Sequence, residues 1–240
     1  MTSILKTMKY IAIVLIMSFA LTPLSGQNPK FPPHDETYLD AELSAFVKKL
    51  LVAIDKRDKH FLYDVLDFHV ISFLDSKGGL EEFQRAWLPD QDSSRMWPMM
   101  KRVIQMGGVF LHDTADQKGH FEFVFPYVYN MPLDIEDDYF NIGVITGKNV
   151  NLRSNPDTAS PIKSKLAYDV VWFVDQDLGG QTTAGSNPNG GAEWYLVETY
   201  DRAQRGWVNW KYVYSPMDCR MFLYKTNKGE WKISAFVTGD

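Results

Sequence analysis

A segment with the pattern of a small β domain begins Val144-Ile-Thr-Gly147-Lys-Asn149-Val150-Asn151-Leu152-Arg153-Ser154-Asn155-Pro156 and ends Gly206-Trp207-Val208-Asn-Trp210-Lys-Tyr212-Val213. Apolar Val150 and Leu152 alternate with polar neighbours, as in a strand with one buried face. The run Asn155-Pro156-Asp157 favours a turn, because proline presets φ and the flanking side chains bond their own backbone. The segment therefore predicts short strands joined by turns.

Three blocks of this segment resemble the bacterial SH3-like domain. The first runs from Val144 through Gly147 to Pro156, the second is Trp194-x-x-Val197, and the third is Gly206-Trp207-Val208 followed by Tyr212. The resemblance covers residues 144–213 and implies a small β-barrel that binds peptides or cell-wall material. It does not imply catalysis.

Two features depart from the family pattern. Asp169 stands where the family usually has glycine, although aspartate tolerates a left-handed turn better than most residues. Residues 177–191 form a Gly/Asn-rich loop that is longer than the usual hairpin link. We expect the turn at Asp169 to form nonetheless.

The chain begins like a secretory signal peptide. Lys6 and Lys9 precede an apolar run at residues 10–21, and small residues follow up to Gly26. The run is too short to cross a bilayer comfortably, so we expect no membrane span after its removal. A mature chain beginning near Gln27 in the periplasm or outside the cell follows from this interpretation.

The remaining sequence predicts helices before the β segment and a hairpin after it. Apolar residues recur at helical spacing from Leu39 to Ile54, and three shorter helices follow before residue 107. Residues 121–125 alternate as a strand, while residues 220–224 and 230–237 flank a glycine-containing turn. Because a lone hairpin is marginal in water, we expect residues 230–237 to pair with strands that precede Val144.

The predicted fold class is therefore α+β. A helical N-terminal domain with a small antiparallel sheet occupies residues 27–141 and follows a signal peptide at residues 1–26. An inserted all-β SH3-like barrel occupies residues 142–214, and a C-terminal hairpin at residues 215–240 returns to complete the first domain.

No set of residues in the sequence predicts catalysis, a cofactor or a metal. Cys219 is the only thiol and has no helix N-terminus to activate it, so we interpret it as structural. The cluster His112-Asp113 with Asp116 and His120 has too few close ligands for zinc. The formal net charge of −5 argues against a nucleic-acid partner.

Aromatic residues in the SH3-like segment are the candidate ligand site. The resemblance implies that Trp207 lies in the core, and that a groove lies between the turn at residues 155–160 and the loop at residues 177–191. Exposed aromatics bury area at low entropic cost, which makes them good binding residues. The candidates are Phe173, Trp194, Trp210 and Tyr212, although a small barrel also needs bulky residues to fill its core.

Three functions remain open on this basis. The first is a non-catalytic binding protein that docks peptidoglycan, or another peptide or glycan of the cell envelope. The second is a cell-wall-acting enzyme with its site in the N-terminal domain. The third is an inhibitor or assembly factor that binds an envelope protein. The lack of a paired nucleophile and base favours the first and third.

Overall fold

Residues at both ends of helix α1 set its bounds. The computed structural model describes residues 28–73, 76–111, 121–132, 139–174, 183–184 and 193–238. Helix α1 spans Ala41–Lys56. Asp40 caps it by accepting hydrogen bonds from the N–H groups of Glu42 and Leu43. The helix ends where Arg57 adopts a left-handed conformation at φ 51°. Within α1 the apolar stripe is buried at Leu43, Val47, Leu50 and Ile54, as its spacing predicts.

Three further helices follow in the described residues: α2 (Lys59–Val65), α3 (Leu80–Trp87) and α4 (Met96–Gln105). Short 3-10 turns occupy Thr37–Leu39, Tyr127–Asn130, Tyr139–Asn141 and Trp210–Tyr212. One face of α4 is buried, and it carries Trp97, Met100, Val103 and Ile104. Leu39 is exposed, because α1 begins after it rather than at it.

The first sheet contains strands from both ends of the described chain. Three of its strands precede residue 142: β1 (Leu66–Ile71), β2 (Val109–Phe110) and β3 (Phe123–Phe125). The other two are the last strands of the described chain, β12 (Arg220–Lys225) and β13 (Trp231–Val237). Their order is β1-β13-β12-β3-β2. The prediction that residues 230–237 pair with early strands is therefore confirmed, because β13 pairs with β1 and the hairpin partner β12 pairs with β3.

One detail of this sheet differs from the prediction of an antiparallel sheet. β1 runs parallel to β13, while the other neighbours are antiparallel. A parallel pair needs a long crossover between its strands, and the chain between β1 and β13 provides one. All four helices contact strands of this sheet. Phe236 on β13 packs against Trp87 of α3, while Phe222 on β12 packs against Phe121 and Tyr129.

The second sheet uses the residues between β3 and β12. Its strands are β4 (Ile142–Ile145), β5 (Val150–Arg153), β6 (Ile162–Leu166), β7 (Val170–Phe173), β8 (Thr183–Ala184), β9 (Trp194–Thr199), β10 (Arg205–Asn209) and β11 (Val213–Tyr214). Their order is β11-β4-β7-β9-β10-β5-β6, with β8 paired to β9. The fold is thus a mixture of α and β with two sheets.

The expected closure of this second sheet into a barrel is wrong. Among the described residues, no strand pairing joins the edge strands β11 and β6. β11 is only two residues long, so it offers little edge for pairing. β6 carries exposed Lys163 and Lys165, and lysines on an edge strand discourage further pairing.

Two strands of the second sheet, β4 and β7, contribute side chains to two apolar cores. Val144 and Val170 belong to the large core that contains the helices and the first sheet. Their chain neighbours Ile145 and Val171 belong to a smaller core inside the second sheet. Successive residues of a strand point to opposite faces, so β4 and β7 contribute to both cores at once.

Close backbone approach explains the glycine of the Gly206-Trp207-Val208 block. A Cβ atom at Gly206 would lie 2.6 Å from the carbonyl oxygen of Arg153 on the neighbouring strand β5. Val208 is buried in the smaller core, so Trp207, one residue earlier, points to the other face and is only half-buried. The expectation that Trp207 fills the core is therefore wrong.

Replacing Phe236 with alanine tests the first sheet. Phe236 is fully buried against Trp87, so the substitution removes a packed ring and should lower the free energy of unfolding by about 3–5 kcal/mol. Phe68→Ala is the matched control, because Phe68 lies on β1 of the same sheet and is 74% exposed. Chemical denaturation should show a change within about 0.5 kcal/mol for the control. Equal losses for both variants would contradict the described arrangement.

Candidate functional site

The 3-10 turn Trp210–Tyr212 is held by hydrogen bonds from three directions. The Trp210 N–H donates to the carbonyl of Glu193, and the Thr146 N–H donates to the carbonyl of Tyr212. The side chain of Asn209 caps the turn by accepting from the Lys211 N–H at 3.2 Å. These bonds tie the turn to Glu193, which precedes β9, and to Thr146, which follows β4.

Tyr212 is presented to solvent by this turn. It is 49% exposed and lines a groove of about 390 Å³. The other lining residues include Lys148, Asn149, Arg153, Thr158, Glu193, Trp194 and Lys211. Thr158 places the turn at residues 155–160 along this groove, which is one of the two boundaries predicted for it. The loop at residues 177–191 falls outside the described residues, apart from the β8 backbone.

The polar residues of the groove carry a positive balance. Among its described lining residues, Lys148, Arg153 and Lys211 are cationic and Glu193 is the one carboxylate. The Arg153 guanidinium also donates to the carbonyl of Ser160 at 2.6 Å, which ties it to the neighbouring turn. The chain as a whole has a net charge of −5, so this groove is a local exception that would attract carboxylates.

The four aromatic candidates have different environments. Trp194 lines the groove with Tyr212, but it is only 6% exposed and offers little surface for stacking. Phe173 packs against the smaller core, where its ring lies 5.3 Å from that of Tyr195. Neither Phe173 nor Trp210 lines the groove. Sequence reasoning about aromatics also missed the lysines and Arg153, which the polar run from Lys148 to Arg153 could have indicated.

Trp210 lies at the junction between the two sheets, where Arg102 of α4 covers it. The guanidinium carbon of Arg102 lies 4.3 Å from the Trp210 ring centroid and 5.0 Å from that of Tyr214. Its Nη2 also donates to the Trp210 carbonyl at 2.8 Å. Partial burial lowers the pKa of Arg102 from its ordinary value, and the two ring faces provide a favourable environment for its half-buried charge.

A fully buried arginine, Arg220, lies close to this junction. Arg220 of β12 donates to the carbonyl of Asp218 at 3.2 Å and faces the ring of Tyr129 at 5.9 Å. The Tyr214 hydroxyl donates to the carbonyl of Cys219. Burial raises the pKa of the Cys219 thiol well above its usual range, so this thiol is protonated at neutral pH and is a poor nucleophile.

The turn near Asp169 forms by a different route from the one expected. Tyr168, not Asp169, adopts the left-handed conformation, at φ 59°. The Asp169 carboxylate accepts from the Ala167 N–H and from Lys30, which belongs to the extended lead-in. Phe31 continues this contact by donating its N–H to the Tyr168 carbonyl. Asp169 thus joins the start of the described chain to the second sheet.

The described part of the chain has neither a metal-ligating cluster nor a membrane-spanning helix. No group of three or more His, Cys, Asp or Glu residues there is placed to hold a metal ion. The His112–His120 cluster and residues 1–26 lie outside the described residues. Among the described helices, none has the length and apolar character needed to cross a membrane.

No family model, curated protein or solved structure matches this chain.

Coupling between Arg102 and Trp210 can be measured with a double-mutant cycle. Arg102→Met keeps the apolar stem, and Trp210→Ala removes the ring. The stacked, part-buried contact should give a coupling free energy of about 0.5–2 kcal/mol in urea unfolding. The cycle Arg102→Met with Trp207→Ala is the control and should give a value near zero, because Trp207 points to another face. A coupling near zero in the first cycle would refute the contact.

Proposed function

We propose that this chain is an exported, non-catalytic binding protein of the bacterial cell envelope. In this proposal the second sheet is an SH3-like domain, and its groove docks a peptide or glycan of the envelope. The observation that carries the proposal is the exposed Tyr212 in a groove lined by three cations and one carboxylate. The resemblance of residues 144–213 to SH3-like domains supports the same function.

The chemistry of the groove favours a peptide over a neutral sugar chain. Peptides of the envelope carry carboxylates, and Lys148 and Lys211 are exposed cations that can bind them. Asn149 and Asn209 add side-chain amides that can bond a peptide backbone, although Asn209 already caps the turn. Tyr212 provides a ring against which an apolar side chain or a sugar face can pack.

A location in the cell envelope is supported by the first residues of the sequence alone. The basic, apolar and small-residue order of residues 1–26 is typical of a cleaved signal peptide. The mature protein would then act in the periplasm or outside the cell. The sequence carries a single cysteine, so the exported chain depends on its apolar cores, not on internal disulfides.

Tyr212→Ala tests the groove directly. Loss of an exposed stacking ring should weaken binding to purified cell wall at least tenfold in a sedimentation assay, as expected for an aromatic hot spot. The free energy of unfolding should change by no more than about 0.5 kcal/mol. Tyr38→Ala is the matched control, because Tyr38 is an exposed tyrosine of the N-terminal part and should bind normally.

A charge-reversal arm identifies what the groove recognises. Lys148→Glu combined with Lys211→Glu should abolish binding to intact wall. The control is Lys49→Glu combined with Lys228→Glu, which makes the same charge change on exposed lysines elsewhere and should leave binding unchanged. Wall stripped of its peptides by an amidase should bind far less than intact wall. Wild-type protein that ignores the wall but captures an envelope protein would replace this proposal with the protein-binding alternative.

A further inference from the structure

Glu193 is the one carboxylate among the described residues that line the groove. It lies directly before β9, and its carbonyl accepts the Trp210 N–H at 2.9 Å. That bond holds its backbone beside the turn that presents Tyr212 to solvent. The Glu193 side chain is exposed, so its carboxylate can reach a ligand in the groove.

The cations around Glu193 do not neutralise it. Among the described residues, none of the three cations that line the groove forms an ion pair with the Glu193 carboxylate. By contrast, Glu198 in the following strand β9 pairs with Arg205 at 3.5 Å. The carboxylate of Glu193 is therefore open to a positively charged group from outside the protein.

Two lysines supply positive charge from other segments of the same groove. Lys148 lies between β4 and β5, and Lys211 lies in the 3-10 turn Trp210–Tyr212. Both are exposed. Arg153 differs from them, because its guanidinium already donates to the Ser160 carbonyl at 2.6 Å. The described part of the groove therefore offers two open cations and one open carboxylate.

A ligand that carried only carboxylates would match this pattern poorly. The two lysines would attract it, but Glu193 would repel it, and such like-charge contacts are one way in which a binding surface rejects a wrong partner. An amino group on the same ligand would replace that repulsion with a charge-assisted hydrogen bond. The exposed ring of Tyr212 adds apolar surface on which the stem between the two charges can pack.

We infer that the groove binds a peptide that carries a free primary amino group close to a carboxylate. The amino group, as an ammonium, donates to the Glu193 carboxylate, and the ligand carboxylate accepts from Lys148 or Lys211. Tyr212 packs against the carbon chain that separates them. This inference rests on the function proposed for the groove and names the chemical class of its ligand.

Sedimentation with purified cell wall, before and after acetylation of the free amino groups of the wall, tests the inference on the full chain. Acetylation should weaken binding of the wild-type protein about fivefold, the order expected for one partly exposed charge pair. Glu193→Gln should weaken binding to untreated wall by a similar factor without lowering the melting temperature, since the backbone bond to Trp210 remains. Acetylation should change the affinity of Glu193→Gln by less than about twofold, because the partner of the amino group is already gone.

Glu230→Gln is the matched control, because it makes the same charge change at an exposed glutamate outside the groove. The Glu230 carbonyl also accepts one backbone hydrogen bond, from Thr226 at 2.8 Å. This variant should bind both forms of the wall as the wild type does, which accounts for any general effect of acetylation on the charge of the wall.

Two results would overturn the inference and leave the proposed function standing. The first is an equal effect of acetylation on the wild type and on Glu193→Gln. The second is Glu193→Gln that binds untreated wall as tightly as the wild type or more tightly, which would mean that the groove recognises carboxylates alone. Wild-type protein that does not bind untreated wall would overturn the proposed function and this inference with it.

Discussion

The contact of Arg102 with Trp210 joins the two halves of the molecule at the point where the candidate groove is built. Arg102 belongs to α4, which packs on the first sheet, and its guanidinium bonds the carbonyl of Trp210. Trp210 begins the short turn that presents Tyr212 to solvent. The position of the groove therefore depends on a helix more than a hundred residues earlier in the chain. A half-buried cation that faces two aromatic rings is a specific contact, because a shifted turn would move the Trp210 ring away from its charge.

The first sheet makes this contact possible by holding early and late strands together. β13 lies between β1 and β12, so the last described strand is an interior strand of the sheet. The second sheet leaves and rejoins this structure through β4 and β11, which pair with each other. Val144 and Val170 fill the large core while Ile145 and Val171 fill the smaller one. The two halves are thus joined by β4 and β7, which pack into both cores, as well as by Arg102.

Local patterns in the sequence predicted those features that depend on neighbouring residues. The spacing from Leu43 to Ile54 predicted the buried face of α1, and the turn before β13 predicted the hairpin that pairs with β1 and β3. For the cap of α1, side-chain type favoured Asp35 or Thr37, which was wrong because the helix begins only at Ala41. Asp40 is the cap, since its carboxylate accepts the first free N–H groups of the helix.

Features that depend on distant partners were not visible in the sequence. Nothing near Trp210 announces that Arg102 will cover it, and nothing near Trp207 shows that the smaller core takes Val208 instead. The parallel pairing of β1 with β13 depends on the direction in which the chain re-enters the sheet. The resemblance predicted a groove bordered by the turn at residues 155–160, whereas the charge of the groove depends on Lys148, Arg153 and Lys211, which the fold brings together.

Hydrogen exchange of the full chain, with and without soluble peptide fragments released from purified cell wall, tests the groove assignment most directly. Backbone amides in the described parts of the groove, at residues 148–153 and 209–212, should exchange more slowly when the fragments are bound. Amides of α1 and α2, which lie in the other half, should be unaffected. Saturable binding with protection confined to the N-terminal part would contradict the account.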